Sequence, residues 1–159
     1  QQRGLKYLTW EPMSIRREQG ETLEEARNLQ SDVNRNSPIP FLICLDVDHG
    51  DISSMNPRDY DPYAWLSAFH DQCPLIHLKQ SKSLKGGHYP FTKEHNAEGV
   101  IRPEKVIEVL DHGVNRFPFV YLLLELSFRE REPVDSTVIE TLKESVDYWQ
   151  LSMALEKAA

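Results

Sequence analysis

Long apolar runs are missing from this chain. Nothing approaches the roughly 18 consecutive apolar residues that a bilayer span needs, so no membrane partner is expected. An excess of basic residues is missing too. Lys and Arg number 18 against 25 Asp and Glu, a net charge of −7, which argues against nucleic acid as a partner. Cysteine is scarce. The two present, Cys44 inside an apolar run and Cys73 before another, lack CxxC spacing and predict no disulfide framework. They read as partly buried thiols in a reducing compartment, and the acidic balance fits a cytoplasmic enzyme. No glycine-rich phosphate loop follows the first apolar run, which counts against nucleotide binding. The chain opens on Gln1, a few residues before an apolar run and with no charged leader. It is therefore expected to be part of a longer polypeptide, with an N-terminal portion missing.

What is present suits one compact domain over residues 1–159, 40% hydrophobic and long enough to bury a core. Four short apolar runs alternate with helical patterns. LKYLTWE (Leu5–Glu11) precedes the capping box Thr22-Leu23-Glu24-Glu25 and a helix with Leu23, Ala26, Leu29 and Val33 on one stripe. PFLICLD (Pro40–Asp46) precedes Asp61-Pro62, a cap and first helical residue, with Tyr63, Leu66 and Phe69 or His70 facing inward. PLIHLKQ (Pro74–Gln80) precedes a polar stretch, 81–101, long enough to suggest a functional lid. Pro103 then opens a helix ending at Gly113. VYLLLEL (Val120–Leu126) precedes a last helix from about Thr137 to Leu155, capped by Asp135 or Ser136. Four consecutive β-α units predict an α/β fold with a parallel sheet. A doubly wound open sheet and a sector of a (β/α)8 TIM barrel both fit. Candidate functional residues at the strand C-terminal ends favour the barrel, of which four units make about half of roughly 250 residues.

Each apolar run ends in, or carries near its end, a residue that can bind a divalent metal: Glu11, Asp46, His77 and Glu125. An unpaired carboxylate at a buried strand is costly. Alone, each residue is more often a cap, an ion-pair partner or a satisfied core histidine. Four at equivalent strand ends, where barrel enzymes gather functional groups, point to one Mn²⁺, Mg²⁺, Co²⁺ or Zn²⁺ ion. His49, three residues after Asp46, is placed to reach a substrate, although it could be a plain loop histidine. Asp48 and Asp51 are alternative ligands or loop-orienting groups. Lys79, Lys82, Lys85, Arg129 and Arg131, with His88, surround the same strand ends. They form either a solvated loop face or a recognition surface for a substrate phosphate or carboxylate. Trp10, Tyr60 and Tyr89 either wall the pocket or pack elsewhere.

LTWEPMS, CLDVDHGD, IHLKQS and LLLELS together resemble the C-terminal half of the xylose isomerase-like (β/α)8 barrels, over nearly all 159 residues. DPYAWL, HLKQS and GGHYPFTKEHNAEG look most like the bacterial sugar-phosphate isomerases and epimerases, among them the tetrulose-phosphate epimerases of erythritol breakdown. The resemblance implies that Glu11, Asp46, His77 and Glu125 hold one ion. Glu11 and Glu125 would also move protons on opposite faces of a ketose or ketose phosphate, through a metal-stabilised enediolate. It implies substrate contacts from His49, and the basic cluster extends these to Lys82, Lys85, His88 and Arg129. Asp48 and Gln80 depart from the pattern, since relatives often carry a small residue and an acid there; the Gln80 amide could still hold a ligand in place. The same superfamily includes metal-dependent phosphodiester hydrolases of the endonuclease IV type, and a sugar-phosphate-binding relative without turnover is a further alternative. Four units leave two open strand edges. The expected partner is the N-terminal half of the same barrel, or a second copy in a homo-oligomer, and an isolated half is expected to be inactive.

Overall fold

The computed structural model describes residues 4–14, 19–112, 117–128 and 136–156. Four strands, β1 (Leu8–Trp10), β2 (Phe41–Asp46), β3 (Leu75–Leu78) and β6 (Tyr121–Leu124), form one sheet in the order β1-β2-β3-β6. All three pairings are parallel, so each connection must cross back over the sheet, and helices do this. The connecting helices are α1 (Leu23–Asn34), α2 (Pro62–Phe69) and α4 (Pro103–His112), and α5 (Val138–Glu156) follows β6. Thr22 caps α1 by accepting from the Glu25 amide, and Asp61 caps α2 by accepting from the Tyr63 amide, with Pro62 at the first turn. Both caps satisfy amides that the helix itself leaves open.

One face of the sheet is packed. Ile43, Leu45, Val47, Ile76 and Leu78 bury against Leu23, Ala26, Trp65, Leu66, Phe69, Val106 and Trp149. The α1 stripe differs from expectation in one respect. Gln30 is buried while Leu29 and Val33 are only half-buried, because the Gln30 amide accepts from the Trp10 indole and donates to the Phe41 carbonyl. It thereby joins α1 to β1 and β2. Strand alternation sends Cys44, Leu75, Tyr121 and Leu123 to the opposite face, and their register partners place them side by side there. That face is open: Tyr121 is 52% and Leu123 46% exposed.

The stretch 81–101, whose length suggested a functional lid, carries secondary structure of its own. It folds as an antiparallel hairpin of β4 (Gln80–Lys82) and β5 (Gly86–Tyr89), followed by the short helix α3 (Lys93–Glu98). Gln80 is fully buried and anchors this excursion. Its amide donates to Asn96 Oδ1 and to the Ile101 carbonyl, and its oxygen accepts from the Ser81 and Ile101 amides. Gln80 therefore supports the hairpin and the start of α4 rather than a metal ligand. Asp135, Gly113, Arg129 and Arg131 lie outside the described residues. Among those described, no helix is long and apolar enough to cross a membrane.

Candidate metal centre

β1, β2, β3 and the segment after β6 each deliver one side chain to the same end of the open face. In a flat sheet β1 and β6 would stand about 14 Å apart, three strand spacings. Yet Glu11, Asp46, His77 and Glu125 place ligand atoms within 4.8 Å of one another. The sheet therefore curls as a barrel wall does. The ladder continues past the strand ends: the Val47 amide donates to the His77 carbonyl and the Glu125 amide to the Leu78 carbonyl. These bonds fix the backbone on which three of the ligands sit.

The donor atoms look toward a shared space. Glu11 Oε1, Asp46 Oδ2, His77 Nδ1 and Glu125 Oε2 are all buried without a well-directed hydrogen bond. His77 Nδ1 lies 3.1 Å from Glu125 Oε2 and 3.5 Å from Glu11 Oε1. Three carboxylates converging out of water repel unless a cation lies among them. Three oxygens and one imidazole nitrogen form a donor set that suits a hard or borderline divalent ion, so the residues fit the metal expected from the sequence. The other ring nitrogen of His77 lies 3.4 Å from Cys44 Sγ, a contact that orients the ring. Burial pushes the Cys44 thiol up to about 12, helped by the charges of Glu11, Asp46 and Glu125. Cys44 therefore stays a thiol beside the centre.

His49 joins the cluster, with Nδ1 3.0 Å from Glu11 Oε1 and Nε2 3.6 Å from Asp46 Oδ2. Burial works to lower the His49 pKa, but the Glu11 contact and the Asp46 charge outweigh it and the net shift is upward. Glu11 shows the converse. Burial works to raise its pKa, but His49 and His77 outweigh that and leave it below the ordinary carboxylate value. An ion held by both carboxylates would neutralise the charges that protonate His49. Asp46 is steadied from both sides, for Oδ1 accepts from the Asp48 amide at 2.8 Å while Oδ2 pairs with Lys79 Nζ at 2.8 Å. Gly50 lets this turn pack closely, since a Cβ there would stand 1.9 Å from the Asp59 carbonyl oxygen.

The basic residues separate into two groups. Lys79 is fully buried and lies against Asp46, His49 and His88. By sequence it belonged with the loop cations. The available signal was its spacing, because Lys79 is two residues past His77 and so shares its strand face. Lys82 instead pairs with Glu98 Oε2 at 2.7 Å and lies over the Tyr89 ring. Lys85 is exposed in the hairpin turn. His88 reaches the cluster from β5, 3.7 Å from Glu125 Oε1, and its pKa is lowered by burial and by the Lys79 charge. Asp48 is pushed upward by burial and accompanies the hairpin through Ser81 and Gly87. Among the aromatics, Trp10 packs against the core and Tyr89 stacks on His95.

A curled parallel sheet, helices on its outer face and a cluster of four candidate metal-binding side chains at the strand C-terminal ends define half of a (β/α)8 barrel. No family model matches the chain. It is 48% identical over 149 residues to the D-erythrulose 1-phosphate 3-epimerase of Brucella abortus (strain 2308), covering 92% of this chain and 47% of that protein. Its fold superposes with a TM-score of 0.75, at 18% identity, on a crystal structure from Rhodospirillum rubrum ATCC 11170 provisionally named a xylose isomerase. That match covers 94% of this chain and 48% of the other. The chain is thus similar in sequence to about half of a sugar-phosphate 3-epimerase and in fold to about half of a solved barrel, and it spans about half the length of the proteins it matches.

Proposed function

We propose that this chain carries the metal-binding and proton-transfer strand ends of a ketose-phosphate 3-epimerase, with a tetrulose phosphate as the first substrate to test. The observation that supports this most is the meeting of Glu11 and Glu125, from opposite edges of the sheet, around the donors Asp46 and His77. A divalent ion held by the four would supply electrophilic stabilisation for the charge that develops when a proton α to a carbonyl leaves. The rest falls to the chain. One glutamate takes the α-proton and the other returns a proton to the opposite face of the carbon, which inverts it. His88, beside Glu125, would hold a substrate hydroxyl near that base through its Nδ1, while His49, with one ring nitrogen facing Glu11 and the other Lys79, would orient the Glu11 base. Lys82, Lys85 and Arg129 are the proposed contacts for the substrate phosphate, and a phosphate would compete with Glu98 for Lys82. The remaining wall of the pocket would come from four further βα units of the same barrel.

The test follows solvent deuterium entering the α-carbon of tetrulose and pentulose phosphates, with Mn²⁺ and with the barrel complete. Exchange at carbon 3 with inversion is expected. No exchange with any ketose or ketose phosphate would remove the proposal.

A further inference from the structure

A second set of donors converges beside the first. Asp46, His49 and His88 bring ligand atoms within 4.8 Å of one another, and these residue types would ordinarily take a transition metal. The buried Lys79 ammonium lies among them, with Nζ 2.8 Å from Asp46 Oδ2, 3.0 Å from His49 Nε2 and 2.8 Å from His88 Nε2. An ammonium has three N–H donors and no acceptor. Here it faces three acceptor atoms, at hydrogen-bonding geometry to the two imidazole nitrogens and at ion-pair distance from the Asp46 carboxylate. With an ion on Glu11 and Asp46 neutralising the charges that otherwise protonate His49, the arrangement requires both imidazoles to be neutral, with a lone pair at Nε2 and the hydrogen on Nδ1. His49 Nδ1 is the nitrogen that faces Glu11 Oε1, at 3.0 Å, where a donor is needed.

We propose that Lys79 is a built-in cation occupying a second metal site. It limits the centre to one divalent ion and holds His49 and His88 as Nδ1–H tautomers. Asp46 belongs to both donor sets, so without the lysine its carboxylate would bridge two ions. A covalently tethered positive charge beside the first ion cannot dissociate, and it imposes no coordination geometry of its own. The inference does not depend on the epimerase reading, because ion stoichiometry is measured without substrate.

The experiment counts Mn²⁺ retained by the complete barrel after gel filtration. Wild type should hold one ion per chain. Lys79→Ala should hold two, with an electron paramagnetic resonance spectrum changed from isolated to spin-coupled manganese. Lys79→Ala combined with His88→Ala should return to one. Two ions in wild type, or one in a folded Lys79→Ala, would overturn the proposal. Should Lys79→Ala fail to fold, ¹⁵N spectra of the imidazoles in metal-loaded wild type decide the matter. Bare Nε2 atoms on both His49 and His88 support the proposal, and a proton on either Nε2 overturns it.

Discussion

Glu11, Asp46 and Glu125 share a charge and a neighbourhood but not an environment. The Asp46 side chain is 0% exposed, whereas those of Glu11 and Glu125 are 27% and 38% exposed. A carboxylate fixed by an amide and an ammonium can hold an ion but cannot swing; the two glutamates border the open face and can reach a substrate. Glu11→Gln or Glu125→Gln should therefore lower α-proton exchange by about 10²–10⁴-fold, read as deuterium uptake with Mn²⁺ at saturation. Retention of wild-type exchange in both variants would remove them as proton carriers. The Glu11–His49 pair also fixes a pH signature for the metal-free protein. The Glu11 pKa is held below its ordinary 4.5, so its contribution to stability is present above that value and is lost as pH falls through the folded pKa. The His49 pKa is held above its ordinary 6.5, so its contribution is present below that value and is lost as pH rises through the folded pKa. The Tm difference between metal-free wild type and His49→Gln should accordingly be largest at roughly pH 5–6 and shrink on either side. A flat difference from pH 4 to 9 would show that the pair contributes nothing.

At the scale of elements, the hairpin β4–β5 and helix α3 depend on a contact no periodicity shows. A Cβ on Gly99 would stand 2.0 Å from the Gln80 Cδ, so any larger residue there must displace the hydrogen-bonded Gln80 side chain. Gly99→Ala should cost roughly 1–3 kcal/mol, measured by denaturant unfolding. Because the hairpin carries His88, whose carbonyl accepts from the Ser127 amide, metal affinity should fall with it. Unchanged stability would mean that Gln80 moves aside freely. What could be read from sequence at this scale divides the same way. The caps at Thr22 and Asp61 were legible because each is settled within three residues. The convergence of Glu11, Asp46, His77 and Glu125 was legible because strand ends place such residues by rule. The spacing from His77 could place Lys79 on the same strand face, but the partners of Lys79 and Gln80 were not legible, since they lie on the hairpin at His88 and on residues as distant as His49 and Ile101. Gln30 was hidden for a similar reason, as its partners lie on two other strands.

For the whole molecule, the decisive feature is the face that bears the centre. Tyr121, Leu123 and Phe119 are exposed on or beside β6, which with β1 forms the two outer strands of the sheet among the described residues. Exposed strand edges recruit further strands, and in a closed barrel this face is packed interior. Filling the metal site should couple to that closure. With an ion at 100 times its Kd, about 2.7 kcal/mol of stabilisation is expected, seen as a Tm rise that chelation reverses and that Glu11→Gln weakens. The chain spans about half of the proteins it matches, and a complementary set of four βα units would cover both edges and the apolar face together. In solution, light scattering should therefore find this 18.5 kDa chain in a larger particle, either joined to such a half or paired with a second copy. Leu123→Lys, which places a charge on the face to be covered, should shift the particle toward single chains or prevent folding. A stable wild-type monomer with a cooperative unfolding transition would show that the curled sheet is sufficient alone. The centre would then be a surface site rather than the floor of a barrel pocket.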